Sequence, residues 1–298
     1  MSGSTATLRL ARRPDHGEIA TKRAALRDLL GGMGRTLVAY SGGVDSTVLL
    51  VEARAALGDD AVGVIAKSPS LPAAELELAL GTAAAAGAPV RVVTTHELDR
   101  ARYRANAGDR CYHCKAELFE RLSEIAAGEG FVSLAYGAVT DDLGDVRPGM
   151  AAAEAFQVRA PLLEAGLSKL EVRRIARERG LEVWDKPQSA CLASRIPVGS
   201  EVTEAKLRQV EEAEAWIRRT FGVRILRVRH VGDTARIEVA PDEVSLLKNA
   251  RSLEVLERGL QVVGFMRVEV DPRGYRRADP LPGVSDAVDG EGQDADRE

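Results

Sequence analysis

Between Thr36 and Gly180, short and almost wholly apolar runs alternate with stretches of helical periodicity. Residues 36–40, 61–66, 90–94, 132–136 and 157–163 read as strands, and 44–57, 72–86 and 112–126 as the helices between them. A strand apolar on both faces must be covered on both, as happens when helices cross over between parallel strands. Ser168 and Glu171 form the S-x-x-E signature that opens a helix, which stops near Gly180. Pro197 and Gly199 then break the pattern. A charged amphipathic helix (203–219) follows, then two alternating strands (223–229 and 234–239) about a turn at 230–233 that holds Gly232 and Asp233. Helical text resumes at Pro241, and a last strand is expected at 265–270. The pattern predicts an α/β fold with a parallel-sheet domain over residues 19–196 and a smaller α+β C-terminal domain over 197–277. An N-terminal arm (1–18) and a tail (278–298) fall outside both.

Composition narrows the function classes. The chain has 298 residues, 45% hydrophobic and 29% charged, as in a soluble globular protein. No apolar run approaches the roughly 18 residues of a membrane span. Arg9, Arg12 and Arg13 stand near the start without the apolar core of a secretion signal, so a cytoplasmic protein with no membrane partner is expected. Net charge is -4, but from Asp279 onward acidic side chains oppose Arg297 alone, leaving the body slightly basic and the tail disordered by composition. With aromatics at 4% and no basic stripe, no nucleic-acid partner is expected. The three cysteines, Cys111, Cys114 and Cys191, are too few for a disulfide framework and fit a reducing compartment.

The strongest local signal is Ser41-Gly42-Gly43-Val44-Asp45-Ser46, directly after an apolar strand and before a helix. Two glycines let the backbone approach a ligand, and the helix start presents N–H groups to an anion. Ser41 and Ser46 add hydroxyl donors, and Asp45 suits Mg²⁺ held against phosphates. No Walker pattern occurs, and no lysine in the loop is set to reach a terminal phosphate. The loop resembles that of the PP-loop ATPases (the adenine nucleotide alpha-hydrolase-like fold), which implies ATP cleaved between its α and β phosphates, an adenylated intermediate and pyrophosphate release. Lys67 and Ser68, after the second strand, are placed to flank the adenine, and Gly137 to Asp142, after the fourth, bring two carboxylates toward the phosphates.

Cys191 lies in the segment Lys186-Pro187-Gln188-Ser189-Ala190-Cys191-Leu192-Ala193-Ser194-Arg195, where a neighbouring cation would favour the reactive thiolate. With the loop at 41–46, the segment Arg110 to Lys115 and the hairpin text from Arg224, it resembles the LarE family over roughly residues 35–272. These are ATP-dependent sulfur transferases of nickel-pincer nucleotide biosynthesis, and they form homo-oligomers. The resemblance implies a small-molecule partner, a pyridinium mononucleotide carrying two carboxylates. ATP adenylates a carboxylate, AMP becomes the leaving group and sulfur displaces it. In the sacrificial form of the family, the cysteine matched by Cys191 gives up its own sulfur and becomes dehydroalanine. Three thiolates also suit a [4Fe–4S] cluster with one open iron. The three-cysteine branch, where Cys111, Cys114 and Cys191 hold such a cluster and it carries a hydrosulfide, is the favoured reading.

Arg227 and Arg229 share one face of the first hairpin strand, and the four-residue turn places Arg236 opposite Arg227 and Thr234 opposite Arg229. The resemblance favours Arg227 and Arg229 as binders of the substrate phosphate, for which the guanidinium fork is suited. The alternatives are a PP-loop tRNA thiolase using an iron–sulfur cluster, an amide-forming PP-loop ligase and a nucleotide sensor without catalysis. The first needs an RNA surface, the second needs no cysteine and the third would bind ATP without releasing pyrophosphate.

Overall fold

The computed structural model describes residues 16–144, 148–187 and 190–275. The arm up to residue 15, Gln188 and Ser189 of the cysteine segment, and the tail expected at 278–298 lie outside the described residues. The chain runs through α1 (His16–Gly31), β1 (Thr36–Ala39), α2 (Val44–Leu57), β2 (Ala61–Lys67), α3 (Ala73–Ala85) and β3 (Val90–Thr94). It continues through α4 (Ala101–Ala105), α5 (Arg110–Glu129), β4 (Ser133–Tyr136), α6 (Pro148–Ala155), α7 (Pro161–Glu164) and α8 (Lys169–Glu178). The last elements are α9 (Glu204–Phe221), β5 (Leu226–Val231), β6 (Thr234–Val239), α10 (Val244–Lys248), α11 (Ala250–Val262) and β7 (Arg267–Val270).

The fold is α/β, and the chain divides into two compact units. One holds the chain up to Ser68, Ala73–Thr95 and the stretch from Cys114; the other holds Pro69–Pro72, His96–His113 and the chain from Ala190 onward. The first unit is built on a four-stranded parallel sheet in the order β3-β2-β1-β4. All four residues of β1 are buried, which explains the apolar run that follows Thr36. From β1 the chain steps outward to β2 and β3, then returns to place β4 on the other side of β1. The carboxyl ends of β1 and β4 therefore flank the switch in strand order where α/β sheets open a ligand crevice. Arg23, Arg27 and Arg179 all bond the carboxylate of Glu52, itself 0% exposed, and so pin α1 and the end of α8 to α2.

The strand expected at 157–163 is not formed. Arg159 makes a single bridge to Ala135 through Tyr136 N–H to Arg159 C=O and Arg159 N–H to Leu134 C=O, and Pro161 then opens α7. Proline has no N–H to extend the ladder and its fixed φ suits a first helical turn. The Ser168–Glu171 capping box is present with both of its reciprocal bonds.

The second unit carries the sheet β5-β6-β7, with β5 and β6 antiparallel and β7 parallel to β6. Leu226, Val228, Ala235, Ile237 and Val239 pack with Ile217 of α9 and Leu256 and Leu260 of α11 into its core. The hairpin register differs from that expected. Val231 pairs with Thr234 across a two-residue turn whose first position, Gly232, has φ +60. Arg227 consequently faces Glu238, and Arg229 faces Arg236.

Candidate functional site

The loop after β1 is built on the geometry its residues dictate. Gly43 is the N-cap of α2 in an extended conformation, and its carbonyl accepts Thr47 N–H at 3.0 Å and Thr47 Oγ1 at 2.9 Å. Gly42 has φ +70, and a Cβ there would stand 2.4 Å from Ala79 Cβ. Ser46 Oγ accepts Ser41 N–H at 3.1 Å and donates to Gly43 C=O at 3.1 Å, closing the loop on itself. From the end of β4, Gly137 presses against this start of α2, where a Cβ would lie 2.9 Å from Ser46 N and 3.0 Å from the Asp45 carbonyl carbon. Lys67 stands exposed at the end of β2 with Ser68 half-buried beside it.

Asp45 shows what this loop was missing in sequence. Its Oδ2 accepts from Lys169 Nζ, whereas its Oδ1 is buried without a hydrogen-bond partner. Burial pushes the carboxyl above the ordinary carboxylate range, against the opposing pull of Lys169. A second lysine, Lys186, reaches Gly42 C=O at 3.3 Å and Glu75 Oε2 at 2.9 Å. Its own carbonyl accepts Arg173 Nη2 at 2.9 Å. The loop text holds no lysine, but folding supplies two. The signal for Lys169 was a cation at the first position of a helix, where the helix dipole disfavours it. The acids after β4 have local work: Asp142 Oδ2 accepts Val139 N–H at 3.0 Å, and Asp141 Oδ2 accepts Lys169 N–H at 2.7 Å.

In the second unit, Cys191 is half-buried at the head of a short 3₁₀ turn, Leu192–Arg195. Arg195 directs Nη1 at the carbonyls of Ala190 (2.5 Å) and Cys191 (2.9 Å). Cys111, exposed, and Cys114, half-buried, lie one turn apart at the start of α5. Arg110, beside Cys111, donates from Nη1 to Ala193 C=O at 2.9 Å, tying the start of α5 to the Cys191 turn. Among the described residues no three His, Cys, Asp or Glu side chains converge as ligands of one metal ion.

Arg229 grips Glu238 through Nε (3.0 Å) and Nη2 (2.8 Å) and donates from Nη1 to Ser194 C=O at 3.0 Å. Arg236, opposite it, is held by Asp271. Arg227 is buried with its guanidinium over the Tyr275 ring at 5.3 Å. Burial, reinforced by the like charge of Arg195, shifts its pKa below the ordinary arginine value. A cation so disfavoured is stabilised by an incoming anion.

No protein-family model matches the chain. A pyridinium-3,5-bisthiocarboxylic acid mononucleotide synthase of Lactiplantibacillus plantarum is 36% identical over 261 residues, 87% of this chain and 93% of its own length. An uncharacterized protein of Synechocystis sp. is 42% identical over 258 residues, 87% of this chain and 96% of its own. Another, of Methanocaldococcus jannaschii, is 26% identical over 245 residues, 81% of this chain and 91% of its own. The match to the synthase covers 87% of this chain at an identity that fixes kinship. The chain belongs to the LarE family.

Proposed function

We propose that this chain is an ATP-dependent sulfur transferase that makes a thiocarboxylate on a pyridinium mononucleotide, forming AMP and pyrophosphate. The observation that carries the reading is the match over 93% of the length of a synthase named for a bisthiocarboxylic acid mononucleotide. In this reading residues 19–196 act as a PP-loop domain, residues 197–277 hold the substrate phosphate and the chain works as a homo-oligomer.

A substrate carboxylate oxygen attacks the α phosphorus of ATP, and the bond to the bridging oxygen breaks as pyrophosphate leaves. Ser41, Gly42, Gly43 and Ser46, at the head of α2, take the phosphates, and Lys67, Ser68 and Gly137 border the nucleotide. Asp45 suits Mg²⁺, because its buried Oδ1 has an open acceptor position. The ion supplies charge neutralisation on the phosphates. Lys169 and Lys186 add positive charge where pyrophosphate departs. A sulfur nucleophile then adds to the acyl carbon, and the oxyanion collapses with expulsion of AMP. Arg227 and Arg229 anchor the substrate phosphate.

Cys191 either gives up its sulfur, by thioester formation and elimination across Cα–Cβ to dehydroalanine, or serves with Cys111 and Cys114 as a ligand set. Three thiols are the donor set that a [4Fe–4S] cluster with one open iron would take, and none of the three is buried. When bound, the cluster supplies a hydrosulfide. Anaerobic turnover followed by intact-mass and iron analysis tests the reading. An unchanged chain with iron and labile sulfide supports cluster delivery, and loss of one H₂S at Cys191 supports sacrifice. ATP turnover yielding no thiocarboxylate overturns the function.

A further inference from the structure

Arg195 and Glu214 are each 2% exposed and pair in the interior of the second unit. The Glu214 carboxylate, on α9, accepts Arg195 Nε at 2.8 Å, Arg195 Nη2 at 3.1 Å and Arg218 Nη2 at 3.3 Å. It also accepts the backbone N–H of Val228 at 3.0 Å, and Val228 lies between Arg227 and Arg229 on the edge strand β5. Through Nη1 the same Arg195 guanidinium donates to the carbonyls on both sides of the Cys191 α-carbon. The Cys191 carbonyl further accepts Ser194 Oγ at 2.8 Å, and Leu192 N–H donates to Ser70 C=O at 2.8 Å. The backbone around Cys191 is thus fixed from both directions while its thiol stays half-buried.

A buried ion pair is a poor device for stability alone, since apolar side chains of similar volume often serve as well or better. What it adds is a fixed geometry. We infer that Arg195 and Glu214 are positioning residues that hold the Cys191 turn at a set spacing from the strand bearing Arg227 and Arg229, so that a phosphate-anchored substrate meets sulfur at one distance. The inference rests on the sulfur-transfer reading. Glu214 is the hub: one carboxylate ties the side chain that holds Cys191 to the backbone between the two arginines. Without it adenylation continues, but the acyl adenylate is lost to water before sulfur reaches it.

The test compares Glu214→Gln and the apolar double variant R195M/E214L with the unaltered chain. Pyrophosphate release and thiocarboxylate formation are measured together under ATP, Mg²⁺ and mononucleotide. The rate at which iodoacetamide alkylates Cys191 is followed by peptide mass spectrometry. A small misplacement of reacting groups is costly, so thiocarboxylate per pyrophosphate should fall about tenfold or more. The KM for mononucleotide should stay within about twofold, the signature of lost positioning rather than lost binding. Cys191 should alkylate faster in both variants, and the double variant should melt near the unaltered chain. A folded variant with unaltered coupling and unaltered alkylation overturns the inference. If the unaltered chain makes no thiocarboxylate, the sulfur-transfer reading fails by itself, and the alkylation rates still decide whether this pair fixes the turn.

Discussion

Lys169 Nζ donates to Asp45 Oδ2, so a cation from a helix 124 residues further along the chain stands at the head of α2. The capping box and the bond from Lys169 N–H to Asp141 fix the start of α8 and with it the lysine stem. Both side chains are partly exposed, so the pair contributes at most about 1 kcal/mol to folding. In the proposed reaction its role would be charge placed ahead of phosphate departure. Lys169→Met should lower pyrophosphate release about 10²-fold at saturating Mg-ATP, with little change in melting temperature. Lys169→Arg should recover part of the loss, and undiminished release in the Met variant would remove Lys169 from the chemistry.

Gly137 is a steric test of the same site. A methyl group there must displace Ser46 N and the Asp45 backbone, neither of which is the end of a flexible side chain. Gly137→Ala should weaken nucleotide binding, measured by calorimetry, and destabilise the fold by about 1–3 kcal/mol.

The two arginines of β5 should separate kinetically. Arg227 is buried beside like charge, whereas Arg229 also holds Ser194 in the Cys191 turn. Arg227→Ala should raise the KM for mononucleotide with ATP binding intact. Arg229→Ala should raise KM and also lower kcat. Loss of ATP binding in either variant would count against a phosphate role.

Asp271 contributes to the acid limb of stability. Burial resists its charge, but the bonds from Arg273 N–H and Arg236 outweigh burial and lower its pKa from 3.8 to about 2. A carboxyl depressed on folding stabilises the fold fully above its unfolded pKa, and that stabilisation is lost as pH falls from about 4 through about 2. Asp271→Asn should cost about 1–3 kcal/mol at neutral pH and flatten this stretch of the profile, read by urea unfolding across the pH range.

Much of this was legible from local text. Helix 44–57, strand 234–239 and the Ser168–Glu171 box stand where periodicity and capping chemistry place them. The turn between β1 and α2 was legible because strand, glycines and helix start are contiguous. What escaped was set through space or by a single residue. Pro161 ends the ladder that 157–163 would have formed, and a two-residue turn shifts Arg227 onto Glu238. Lys169 and Lys186 reach the loop only once the sheet brings distant segments together, and no spacing rule links them to it. Nor does the segment's text show that Arg195 serves the backbone, since a buried guanidinium takes the carbonyls and carboxylate that folding brings within reach.

Adenylation of a carboxylate can be followed with a mononucleotide whose carboxylates carry oxygen-18. Attack of carboxylate oxygen on the α phosphorus, followed by sulfur displacement at carbon, leaves that oxygen on AMP. One labelled oxygen should appear in AMP for each thiocarboxylate formed; ADP as product, or AMP free of label, would rule adenylation out.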